Sequence, residues 1–180
     1  MVNELQRIIS AFIQILFIIL LPSIWWFVTV RGKVPFMEWI GLKAVKRDKV
    51  SYLITWIIGG FLLFTAFSIF IFPLTRSIET ATSAFSGMGL KALPSILIYS
   101  FLQTSLPEEL LFRGFLLKRL VNHMPFVFAN TIQAIAFGLL HGVLFASVVS
   151  LEVTFFIIFF TGAIAAYLGF VNEKKAGGSI

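Results

Sequence analysis

A succession of long apolar runs constrains this chain more than any other feature. Five of them lie at roughly Ile8–Val30, Val50–Leu74, Leu93–Leu117, Pro125–Phe145 and Val153–Val171. Each has close to the ~20 residues that an α-helix needs to cross the hydrocarbon core of a bilayer. The runs show no polar/apolar alternation and are too long for barrel strands, so a strand reading fails. Pro22 interrupts the first run, and the second contains Gly59-Gly60 with Pro73 near its end. Composition agrees: 59% of residues are hydrophobic and 12% charged, against about 45–50% and about 25% in soluble domains. The fold class expected is all-α, a single polytopic membrane domain of about five transmembrane helices.

The net charge of +6 would suggest nucleic acid in a soluble protein. Here the cations fall in short loops, where they set topology instead, and no nucleic-acid partner is expected. Ten Lys/Arg residues sit on one side: Arg31, Lys33, Lys43, Lys46, Arg47, Lys49, Lys118, Arg119, Lys174 and Lys175. The other side has only Arg7, Arg76 and Lys91. The basic side should be cytoplasmic, with the N-terminus outside and the C-terminus inside. The first run is too long for a cleavable signal and lacks a small-residue cleavage site, so it reads as a first membrane helix. The absence of cysteine excludes disulfides, thiolate metal sites and Cys nucleophiles. The loop "RGKVPFMEWIGLKAVKRDK" carries Phe36 and Trp39 among its cations and suits either a short interfacial amphipathic helix or a plain topology-setting loop. The outer loop "TRSIETATSAFSGMGLKA" is small, polar and expected to be flexible.

Against this background, "PEELLFR" at 107–113 stands out. Ionisable groups inside a membrane span cost roughly 3 kcal/mol each, and this run holds Glu108, Glu109 and Arg113. Neighbouring helix positions point about 100° apart, so the two glutamates face different neighbours. Glu109 and Arg113 are four apart and can pair. Glu108 points elsewhere and suits a general base. The bland alternative for Glu108 is an interfacial role near Lys118 and Arg119. On the next run, "NTIQAIAFGLLHGVLF" sets Gln133, Phe137 and His141 on one helix face. Gly138 and Gly142 flank the histidine in a small-xxx-small pattern that admits a close neighbour. His141 could simply bond a carbonyl on a neighbouring helix. With Glu108 it could hold a water between carboxylate and imidazole, or contribute to a metal site that would need at least a third ligand. His123, in the loop "KRLVNHMP", reads as interfacial.

"EELLFR" resembles the EExxxR motif, and "FGLLH" the FxxxH motif, of the CAAX protease and bacteriocin-processing (CPBP) family. "TGAIAAYLGFVNEKKAGGSI" resembles that family's next helix and its Gly-rich turn. The resemblance covers residues 93–180, while residues 1–92 supply two generic membrane helices with their loops. It implies an intramembrane endopeptidase, in which Glu108 activates water, Glu109, Arg113 and Phe137 support the site, and His141 is the partner of Glu108. It implies either zinc or no metal as cofactor. The partners it implies are a peptide or membrane-anchored protein substrate and the lipid bilayer, in a bacterial cell membrane. Family roles include removal of the last three residues of prenylated proteins, peptide maturation and bacteriocin immunity.

The family pattern continues with a further His, followed four residues later by Asn or a similar residue, on the helix after the Gly-rich turn. The 180 residues end at "KAGGSI" before it, and neither His123 nor Asn172 matches those positions. The expectation is thus a fragment, or a short form whose site lacks these groups; one lost oxyanion donor typically costs about 10²–10³ in rate. A non-catalytic membrane scaffold or immunity protein on the same fold is the second reading. A transporter is a third, disfavoured because the sequence shows no internal repeat.

Overall fold

The computed structural model describes residues 4–75 and 83–180, and these are all helix, turn or loop, with no strand among them. Arg76 and the 76–82 part of the outer loop lie outside the described residues. The helices are α1 (Glu4–Thr29), α2 (Phe36–Ile40), α3 (Val50–Thr75), α4 (Leu93–Leu97), α5 (Leu106–Glu108), α6 (Lys118–Val121), α7 (Phe126–Phe145) and α8 (Leu151–Phe170). Among the described residues, four helical stretches are long and apolar enough to cross a membrane: Ile8–Thr29, Arg47–Phe70, Phe126–Phe145 and Leu151–Lys175. Large apolar side chains are exposed along them, for example Phe17, Phe70, Val143 and Phe159. Such surfaces would associate in water and are at rest against lipid.

The third apolar run is the one that departs from a regular α-helix. Between α4, α5 and α6 it winds as π-helix, at Ile98–Ser105 and again at Glu109–Leu117. The Leu106 N–H reaches back five residues to the Phe101 carbonyl. Pro107 offers a local cause, since it has no N–H for the carbonyl four residues before it. That carbonyl belongs to Gln103, and it accepts a hydrogen bond of 2.9 Å from Gln14 Nε2 on α1. π-helical geometry recurs at functional sites.

The described chain divides into two compact units, Met1–Ile40 with Glu79–Phe115, and Gly41–Ile78 with Leu116–Ile180. In the first, α1 packs on the irregular third run. The basic loop after α1 folds back rather than lying flat: Trp26 Nε1 donates to the Val34 carbonyl at 2.8 Å. α2 follows, with Trp39 and Ile40 buried. Trp39 and Trp25 both approach the Phe115 ring, with centroids 6.1 and 5.8 Å away. The short helix is thus formed, with Trp39 and Ile40 turned into the protein and Met37 exposed.

In the second unit α7 and α8 form the centre. The short link after Phe145 makes them neighbours, and Ser150 starts α8 by accepting from the Val153 N–H at 3.4 Å. Their approach depends on glycine. A Cβ on Gly138 would overlap the Ile158 carbonyl oxygen, and one on Gly142 the Ile158 side chain. α3 lies along α8 through Tyr167, whose hydroxyl donates to the Trp56 carbonyl at 2.7 Å.

These contacts give two membrane-helix glycines opposite roles. Gly59 would meet nothing within 4 Å if given a Cβ, so Gly59→Ala should leave the unfolding midpoint in detergent unchanged or raise it, by up to about 1 kcal/mol. Gly138→Ala should lower it by about 1–3 kcal/mol, because a helix backbone must move. Equal effects of the two substitutions would contradict the α7–α8 packing described.

Candidate functional site

The first half of the site belongs to the irregular run. Arg113 is fully buried and meets Glu109 one turn earlier, Nη1 to Oε1, at 3.4 Å. A guanidinium removed from water needs an anion close by, and Glu109 supplies it. Glu108 is the last residue of α5, half-buried, and next to buried Pro107. The spacing argument for a Glu109–Arg113 pair is therefore met.

The second half belongs to α7. Gln133, Phe137 and His141 share a face, as their spacing requires, and Gln133 and Phe137 are buried. The His141 ring stacks on Phe137 with centroids 4.4 Å apart. Its Nδ1 lies 3.0 Å from the Phe137 carbonyl oxygen. A carbonyl only accepts, so Nδ1 carries the proton and Nε2 is left as the nitrogen with the lone pair. This sharpens the expected role: in its neutral form the imidazole works through Nε2 as an acceptor. The carbonyl bond is within its own helix, so the bland reading of His141 as bonded to a neighbouring helix is not what this contact shows.

The polar line continues below Phe137. Gln133 Nε2 donates to Asn130 Oδ1 and to the Ala165 carbonyl, both at 2.9 Å, and Asn130 Nδ2 donates to the Ala166 carbonyl at 2.9 Å. These amides tie α7 to α8 two to three turns from His141 and fix the face that carries it. Asn130 was not singled out from the sequence, although its place three residues before Gln133 is the signal that would have found it.

Glu108 and His141 fall in different compact units. For a metal, Nε2 of His141 and the Glu108 carboxylate are suitable donor types, but among the described residues no group of three or more His, Cys, Asp or Glu could hold an ion. A zinc site built from protein needs at least three. The described residues do not fit that group. His123 lies in the turn before α7, as expected of a loop residue.

A second polar cluster had no sequence forewarning. Lys118 Nζ pairs with Glu173 Oε1 at 3.0 Å and donates to the Gly178 carbonyl at 2.6 Å. Burial holds its ammonium below the usual lysine range, with Glu173 acting in the opposite sense. Ser179 Oγ donates to the Lys43 carbonyl at 2.5 Å, and Asn172 Nδ2 to the Ser179 carbonyl at 2.5 Å. The tail after α8 is thus fastened to the loop before α3.

The fold and these groups define a class, an all-helical membrane protein with carboxylates, a guanidinium and an imidazole set into its helices. Residues 90–178 match the family model described as Type II CAAX prenyl endopeptidase Rce1-like. Through this segment the chain belongs to the Rce1-like family, of the CPBP type of intramembrane protease, and both motif helices lie within the match. None of the curated proteins and none of the solved structures matches the chain.

Arg113→Ala should lower membrane yield and destabilise the protein by about 3–5 kcal/mol, because Glu109 loses its counter-charge. The double variant Glu109→Gln, Arg113→Leu should recover part of that loss. An unchanged unfolding midpoint in Arg113→Ala would contradict the pair's structural role.

Proposed function

We propose that this protein is a peptide-bond hydrolase acting near one face of the membrane, with Glu108 as the general base. Family membership supports the reaction class, and the observation that carries the assignment of roles is the buried Glu109–Arg113 pair. A chain keeps ionisable groups in hydrocarbon when they pair or do chemistry. The pair engages Glu109 with Arg113, Glu108 is also within electrostatic reach of Arg113, and the likeness of EELLFR to the EExxxR motif supports Glu108 as the reacting carboxylate.

In this reading Glu108 and His141 are the acid–base groups of the reaction. The Glu108 carboxylate takes one proton from the attacking water, and Nε2 of His141 serves as a hydrogen-bond acceptor. The water oxygen forms a bond to the scissile carbonyl carbon. The tetrahedral intermediate then breaks its C–N bond, and Glu108 passes its proton to the departing amine. The products are a carboxylic acid and an amine, which at neutral pH settle as carboxylate and ammonium. Phe137 holds the imidazole plane by stacking, and Glu109–Arg113 fixes the helix that presents Glu108. The substrate is a peptide or membrane-anchored protein. The excess of Lys and Arg near the starts of α3 and α6 and the end of α8 supports a cytoplasmic location for that face.

The test is cleavage of a lipidated peptide by the purified chain in detergent or vesicles. Glu108→Gln and His141→Ala should each lower the rate by about 10²–10⁴, with melting and elution unchanged. Wild-type rates in both variants would sink the assignment. Specific binding of the peptide without cleavage by the wild type would favour a scaffold on the same fold.

A further inference from the structure

We propose that the groove between α3 and α8 is a binding site for one anionic phospholipid, with its phosphate at Lys175. This rests on membrane insertion and is independent of the hydrolytic reading. The groove has a volume of about 440 Å³ and is walled chiefly by Ile57, Phe61, Phe64, Phe160, Ile164 and Tyr167. All belong to the second compact unit. Ile57 and Phe61 are well exposed, so the groove opens sideways where lipid would lie.

Its dimensions match a lipid tail. The α3 wall runs from Ile57 to Ser68, which at about 1.5 Å per residue spans about 16 Å. That is close to half of a ~30 Å hydrocarbon core, one leaflet. The end at Ile57 and Val171 is the end where the cations gather. Lys175 Nζ lies 4.5 Å from the Trp56 ring centroid, 5.2 Å from Phe170 and 5.6 Å from Tyr52. Trp56 directly precedes Ile57, so this aromatic platform sits at the mouth of the groove.

Cations outnumber carboxylates there. Lys174 lies over the Phe126 ring, 4.6 Å from its centroid. Lys49, in the turn before α3, is within electrostatic reach of the same Tyr52 hydroxyl as Lys175. Glu173, the acidic residue of this turn, is held by Lys118 at 3.0 Å. Asp48 is the remaining carboxylate beside Lys49. Aromatic rings holding a lysine at the membrane interface leave the ammonium facing the headgroup layer. A basic end on an interhelical groove recognises a phosphate headgroup, whereas the groove itself accepts any saturated chain.

The whole chain, purified in mild detergent, would be mixed with equal amounts of phosphatidylglycerol and phosphatidylcholine and examined by native mass spectrometry. One phosphatidylglycerol per chain should be retained in preference to phosphatidylcholine. Lys175→Gln should reduce that retention about fivefold, the effect of about one interfacial charge, and leave phosphatidylcholine unchanged. Ile164→Trp, which fills the groove, should reduce both. If that variant does not fold, Lys175→Gln decides alone. Equal retention of the two lipids by the wild type, or a preference that survives Lys175→Gln, would overturn the proposal. So would displacement of the phospholipid by an equimolar farnesylated peptide, which would assign the groove to a lipidated chain instead.

Discussion

The pairing of Arg113 with Glu109 is the interaction on which the candidate site depends. A guanidinium with no exposed surface cannot stand in hydrocarbon without an anion, and the anion must come from the same turn or from a neighbouring helix. Here it comes from the same helix, four residues away. The same rule orders the rest of the protein. The carbonyl that Pro107 leaves without an α-helical partner takes a donor from Gln14. Gln133, Asn130 and Tyr167 each give a hydrogen bond to a backbone carbonyl on another helix. In a bilayer, side-chain hydrogen bonds of this kind are worth only about 0.6 kcal/mol on average. Their value lies in fixing which faces meet, and through that in positioning Glu108 and His141 on their own elements.

Small residues and polar residues divide the work of holding α7 to α8. Gly138 and Gly142 let the helices close, and the Gln133–Asn130 amides set their register. Without a hydrophobic driving force between helices in lipid, close packing and such bonds are what remains. The result is a rigid face for the stacked Phe137–His141 rings.

Much of this was legible in the sequence, for identifiable reasons. Four of the five apolar runs became regular helices within a few residues of their expected ends, because length and hydropathy alone decide them; α7, for instance, begins at Phe126 against Pro125. The Glu109–Arg113 pair and the Gln133–Phe137–His141 face were visible as helical spacing. The π winding of the third run was not, because a hydrophobic pattern read at a period of 3.6 is blind to a bond reaching back five residues. Gln14 and Ser179 were also missed. Each donates to a backbone carbonyl far away in sequence, and a carbonyl has no residue type to betray it. The direction of the His141 ring was beyond any pattern, since it follows from one contact to the Phe137 carbonyl.

The central proposal is that Glu108 and His141 serve one reaction. The chain has no cysteine, so a double variant Glu108→Cys, His141→Cys carries only the two thiols of interest. Treatment in membranes with the shortest bifunctional methanethiosulfonate reagent should join them within one chain, seen as a single bridged peptide after digestion. A Glu108→Cys, Phe159→Cys pair, with its second thiol on an exposed lipid-facing position, should not be joined. Bridging of the control pair but not of the Glu108–His141 pair would contradict the account.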